Sequence, residues 1–290
     1  METSYVIAWN NASRQTSIYL NIINIILGFP GAFFNIIVFL SLKTFRENTC
    51  GFYLTIMSFL NICHLLAGSL SLFVIAAFEI DWGTTSTSLC KFQTYLTQWS
   101  TLTSLTCLCL ATIDQYLATN RRVHWQEFSN IKLTHRLAAS TIIFWSIYSI
   151  LYAVFYEIIT LTTENTALCT TSNDIFYQYT IYFNELVLTG FLPNGLTALF
   201  AYLLYRNLKT ITYRTIPLVR RELDKQFSNM LLIQVIYNVC VLLFYNIINV
   251  TLPYLMRSTN SVTIARTQFL HMLSVSIYNS YSSVSHLRRK

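Results

Sequence analysis

Long apolar stretches alternate with short polar gaps along the chain. Runs at about 18–42, 52–78, 90–116, 134–159, 178–205, 227–252 and 263–284 predict seven helices. A hydrocarbon layer of roughly 30 Å takes about 20 helical residues, so each run is long enough to cross one. Membrane β-strands fit poorly, because they need only about 9–11 residues and alternate with period two. The expected fold is an all-α membrane protein: a seven-transmembrane helix bundle over 18–284, preceded by an N-terminal segment 1–17 and followed by a short tail 285–290.

The polar gaps differ in charge, and this orients the bundle. Fifteen of the nineteen Lys and Arg residues lie at Lys43 and Arg46, at Arg121 to Arg136, at Arg206 to Lys225 and at Arg288 to Lys290, whereas the other gaps and the N-terminus hold only Arg14, Lys91, Arg257 and Arg266. Short Lys/Arg-rich loops stay cytoplasmic, so the N-terminus is expected outside and the C-terminus inside. No basic n-region precedes the first apolar run, which leaves that run as the targeting signal.

Composition agrees. Of 290 residues, 54% are hydrophobic and 11% charged, against about 25% charged in soluble domains, and mean hydropathy is +0.47. The net charge of +7 sits where it meets anionic lipid headgroups and acidic partners, which argues against nucleic acid as a partner. There is no repeat, nucleophile elbow, phosphate loop or HExxH signature, and the five His residues are scattered. The chain is therefore not expected to be an enzyme or to hold a catalytic site, metal or cofactor. Asn11-Ala12-Ser13 is a glycosylation sequon on the expected outer side.

Several landmarks then fall in order. Gly31-Ala32-Phe33-Phe34-Asn35 lies in the first helix, and Cys90 opens the third. Asp114-Gln115-Tyr116 follows Cys90 by twenty-four residues, and Trp145, Cys169 and Pro193 come after it. Over almost its whole length the chain resembles the rhodopsin-like G-protein-coupled receptors, and it departs from them in a way that matches a divergent, invertebrate-type member. Asn61 stands where the family carries an Asp that binds sodium with a third-helix Ser, here Ser104; the sixth helix lacks Cys-Trp-x-Pro, and the seventh lacks Asn-Pro-x-x-Tyr.

The resemblance implies a Cys90–Cys169 disulfide in the oxidising outer compartment; the alternative is two free thiols. It also implies that Glu185, eight residues before Pro193, faces the ligand cavity together with Thr97 and Thr101 of a third-helix hydroxyl face. Ordinary interhelical Ser/Thr packing is the competing reading of those threonines. Glu79, Asp81 and Glu157 are expected to make the outer vestibule acidic. Thr97 falls where amine-binding members carry an Asp, so a peptide is favoured over a monoamine. At the inner face the resemblance assigns Asp114, Gln115 and Tyr116 to coupling, with Asp224 at the foot of the sixth helix as the acid a family Arg would meet. Gln115 carries no charge, so that tether must be weaker or differently made.

The expected function is a multi-pass plasma-membrane receptor that passes an extracellular, peptide-like ligand's signal to a heterotrimeric G protein. The competing readings are a seven-helix decoy or scaffold that has lost coupling, and a transporter or channel.

Overall fold

The computed structural model describes residues 2–41, 48–120, 122–161, 166–211, 218–255 and 260–284. Seven long helices carry the fold: α1, Glu2–Ser41; α2, Thr49–Phe78; α3, Thr87–Ala118; α4, Ile131–Phe155; α5, Asp174–Lys209; α6, Leu218–Leu255; and α7, Ser261–Asn279. The tail 285–290 lies outside the described residues.

Asparagines start four of these helices. Asn48, Asn130, Asn173 and Asn260 each accept a bond from a backbone N–H of the first turn that follows, supplying the acceptor that first turn lacks. α1 begins well before its apolar run, since nothing in residues 2–17 breaks a helix and tertiary contacts hold the extension. Trp9 packs on Phe269 of α7 at 5.3 Å, and Arg14 Nε donates to Ala76 O at the end of α2 at 2.7 Å. Asn11, the sequon residue, is exposed on this extension.

Two helices change register. α2 contains a π-helical turn at Leu65–Ser69 and α5 a π-helical stretch at Tyr179–Phe191. The α5 stretch stops just short of Pro193, whose ring cannot sit against the carbonyl one turn back, so the preceding turns widen. α6 runs unbroken from Leu218 to Leu255.

Residues 157–159, expected to end the fourth helix, instead belong to a hairpin: β1, Glu157–Leu161, pairs antiparallel with β2, Thr166–Thr170. Ile158, Ile159 and Thr160 are β-branched, and such side chains suit a strand better than a helix end.

The helices close a ring. α1 packs on α2 and α7, α6 packs on α5 and α7, and α3 touches α2, α4, α5 and α6. The half of the bundle that holds the start of α2 is apolar, with Tyr53, Leu54, Met57, Cys107, Leu108, Phe227 and Leu231 buried together. Among the described residues, five stretches are long and apolar enough to cross a membrane: Thr3–Ser41, Thr49–Phe78, Ile131–Phe155, Asp174–Lys209 and Lys225–Leu252. α3 and α7 are more polar, and they bury those polar residues against neighbours: Gln98, Ser100, Thr101 and Ser104 on α3, and Thr267, Ser274, Ser276 and Asn279 on α7. Polar side chains in a helix bundle are tolerated where partners satisfy them.

Candidate functional site: a cavity and a contact at opposite ends of the bundle

α2, α3, α5, α6 and α7 line an open cavity of about 250 Å³ whose wall includes Thr97, Thr101 and Glu185. The three residues named from sequence as ligand-facing thus share one space. His64, Tyr245 and Tyr278 also line it, and sequence reasoning missed them. A lone His or Tyr in an apolar run reads as core until its neighbours on other helices are known.

Glu185 is fixed by neutral groups. Gln98 Nε2 and the Tyr148 hydroxyl both donate to Asn184 Oδ1, at 2.7 and 3.0 Å. That aims the Asn184 amide nitrogen at Glu185 Oε1, 3.2 Å away, and the Tyr245 hydroxyl is a second hydrogen-bond partner of the carboxylate. Among the described residues the ion pairs are Arg14 with Glu79 and His124 with Glu127; neither involves Glu185. A carboxylate among apolar helices with no cationic partner is costly unless a ligand supplies one.

The cavity floor is a hydrogen-bond relay across four helices. The Thr101 hydroxyl meets His64 Nδ1 at 3.1 Å, and His64 Nε2 meets Asn279 Oδ1 at 3.1 Å. Asn279 Nδ2 donates to Asn21 Oδ1 at 3.4 Å, and Asn21 Nδ2 donates to Ser276 Oγ at 3.2 Å. One imidazole tautomer, with its proton on Nε2, satisfies both His64 contacts. The ring is wedged between Tyr281 at 5.2 Å and Tyr278 at 5.9 Å. One turn deeper, Ser104 Oγ donates directly to Asn61 Oδ1 at 2.9 Å, so the pair that resembles a sodium site is joined by a hydrogen bond. No cluster of three or more His, Cys, Asp or Glu that could hold a metal occurs among the described residues.

The other acids at this end of the bundle serve the scaffold rather than the cavity. Glu79 pairs with Arg14 at 2.8 Å, Asp81 caps the short helix Trp82–Thr85 through Gly83 N at 2.8 Å, and Glu157, exposed in β1, accepts from Ser172 Oγ at 2.5 Å. Of the four acids only Glu185 lines the cavity; Asp81 and Glu157 are bonded by neutral donors, and Glu79 is the one paired with a base. Cys90 at the start of α3 and Cys169 in β2 lie at disulfide distance, S–S 1.96 Å and Cα–Cα 5.7 Å, tying the hairpin to α3.

At the opposite end of the bundle, Gln115 is buried and accepts a hydrogen bond from Ser228 Oγ of α6 at 3.2 Å. Asp114 accepts from Thr49 Oγ1 at 2.5 Å and from Ser129 Oγ at 2.8 Å, which ties α3 to the start of α2 and to the loop before α4. The Tyr116 ring packs on Phe200 of α5, centroids 5.7 Å apart. Asp224 lies in α6 one turn before Ser228, but its side chain lies outside the described residues. This contact thus joins α3 to α2, α5 and α6 through hydroxyl, amide and ring contacts.

A scan against protein-family models returned no match, and a search of curated proteins returned none.

Proposed function

We propose that this protein is a plasma-membrane receptor that converts occupancy of the outer cavity into a change at the inner contact, read there by a heterotrimeric G protein. In this reading all seven long helices span the bilayer, with the N-terminus outside and the basic loops inside. α3 and α7 are the polar spans because they line the interior.

The observation that carries the reading is that α3 and α6 line both places. Thr97 and Thr101 of α3 and Tyr245 of α6 wall the cavity, while Gln115 and Ser228 of the same two helices meet at the far end. A ligand that draws Tyr245 and Glu185 together favours one arrangement of α6 against α3, and its differential affinity for the two arrangements sets the coupling, typically about 1–3 kcal/mol. The hairpin tied to α3 by Cys90 and Cys169 supports an outer wall for a peptide-like ligand. The basic inner loops offer complementary charge to an acidic partner.

The test is a peptide library applied to cells expressing the chain with reporters for several G-protein classes. Ligand-dependent reporter activity supports the receptor. Surface binding with silent reporters across all classes shifts the reading to a decoy, which the uncharged Gln115 favours.

A further inference from the structure

If the outer cavity is the ligand site, its wall also says what enters. Several hydrogens of that wall are engaged within the protein. The Thr97 hydroxyl donates to Gln93 O at 2.8 Å and the Thr101 hydroxyl to His64 Nδ1 at 3.1 Å. Gln93 Nε2 bonds Ser71 Oγ at 2.7 Å and Ala67 O at 3.2 Å, and Asn279 Nδ2 bonds Asn21 Oδ1 at 3.4 Å. Thr97 Oγ1, Thr101 Oγ1 and Gln93 Oε1 keep lone pairs to offer beside the Glu185 carboxylate.

An acceptor-rich wall selects strongly. An anion or a ligand poor in hydrogens leaves buried acceptors unpaired and pays their desolvation cost. A cation with several N–H groups meets acceptors on several sides at once. Next to the carboxylate, Tyr245 and Tyr278 stack with ring centroids 4.4 Å apart and planes 20° apart, and a cation gains further from aromatic surface.

Size narrows the choice. At about 250 Å³ the cavity falls below the roughly 300–1,000 Å³ of pockets that enclose drug-sized ligands. It accepts one arm of a ligand rather than a whole peptide.

We propose that the cavity receives a single protonated, multi-donor group on a slender arm, a guanidinium or primary ammonium, with Glu185 as its counter-ion and Thr97, Thr101 and Gln93 as further acceptors. The proposal rests on the ligand-site reading but needs no coupling to a G protein.

Its test uses the purified full-length chain in lipid nanodiscs, titrated by calorimetry with N-acetyl-arginine amide, with its neutral isostere N-acetyl-citrulline amide, and with agmatine. Saturable binding of the arginine amide is expected, with citrulline amide weaker by about thirtyfold or more, the loss typical of removing one side of a buried charge pair. Glu185→Gln abolishes that preference. Thr97→Val, which removes an acceptor and no charge, weakens arginine amide by roughly two- to tenfold. Agmatine binding more tightly than the amide identifies a free amine as the ligand; weaker binding identifies a peptide-borne side chain. Equal affinity for arginine and citrulline amides overturns the proposal, as does an unchanged preference in Glu185→Gln, or no saturable binding of either cation. Should Glu185→Gln not yield a monodisperse protein, the wild-type preference and Thr97→Val decide alone. Because no G protein is present, silent reporters in cells leave this result standing. Ligand-driven signalling without cation binding sinks only this inference.

Discussion

Ser228 of α6 donates to Gln115 Oε1 of α3 across 3.2 Å, and both side chains are buried. This neutral bond joins the two helices where the resembling family places a charged tether. A hydrogen bond between neutral groups contributes about 0.5–1.5 kcal/mol net, so its removal moves a two-state balance by roughly two- to tenfold. Ser228→Ala is expected to raise ligand-independent signalling by a factor in that range at matched surface expression. A lower basal signal would mean that the bond belongs to the active arrangement.

Gln115→Arg tests the same place by adding charge. Asp114 is already bonded by Thr49 and Ser129, and Asp224 lies one turn before Ser228 on α6. An Arg that reaches either acid near a low-dielectric boundary makes a stronger link than the present bond. Basal signalling is therefore expected to fall and the agonist-stimulated ratio to rise. Unchanged basal and stimulated signals at equal surface expression would show that the position is not a switch in this protein.

The helical architecture was legible because hydropathy reports long apolar runs directly, but the edges of those runs were not the edges of the helices. The apolar windows began at 52, 134, 178 and 263, whereas the capping asparagines stand at 48, 130, 173 and 260. A capping turn is polar and invisible to hydropathy, yet it leaves its own signal in Asn. The π-helical register in α5 was not legible, since it follows from how Pro193 displaces a neighbouring turn. The hairpin was hidden because Ile158 and Ile159 read equally well as the end of an apolar helix. Of the cavity, the α3 hydroxyls were legible by spacing and Glu185 through the resemblance alone. His64, Tyr245 and Tyr278 were not, because only tertiary packing brings α2, α6 and α7 to the same space.

Orientation rests on the asymmetry of basic residues, and tags at the ends measure it. An epitope before Met1 is expected to stain on intact cells, and one after Lys290 only after permeabilisation. Staining of both tags on intact cells gives an even number of crossings, which is incompatible with seven.

The Cys90–Cys169 link holds the hairpin at the N-terminal end of α3. Losing a disulfide from a folded domain typically costs about 2–5 kcal/mol. Cys169→Ser is therefore expected to lower surface expression, and non-reducing peptide mapping of the wild type to recover the two fragments joined. Both cysteines alkylated without reductant in surface-purified protein would refute the link.

Glu79 ends α2 in the left-handed region, φ 61° and ψ 24°, where the β-carbon of an L-residue crowds the following carbonyl at a cost of roughly 1–2 kcal/mol. The same residue pairs with Arg14, but the side chains are 73% and 49% exposed, and exposed pairs are worth about 0–1 kcal/mol. Two substitutions separate these opposing effects. Glu79→Ala removes the ion pair and keeps the strained conformation, whereas Glu79→Gly removes the pair and relieves the strain, at the expense of a more flexible unfolded chain. Helix ends of this form commonly carry Gly for that reason. Glu79→Gly is therefore expected to melt above Glu79→Ala by roughly 2–4 °C, the shift that about 1 kcal/mol produces in a chain of this order of size, as measured by thermal unfolding in nanodiscs. Glu79→Ala melting at or above Glu79→Gly would show that this backbone position is not strained. Both variants melting far below wild type would show that the Arg14 pair contributes more than its exposure allows.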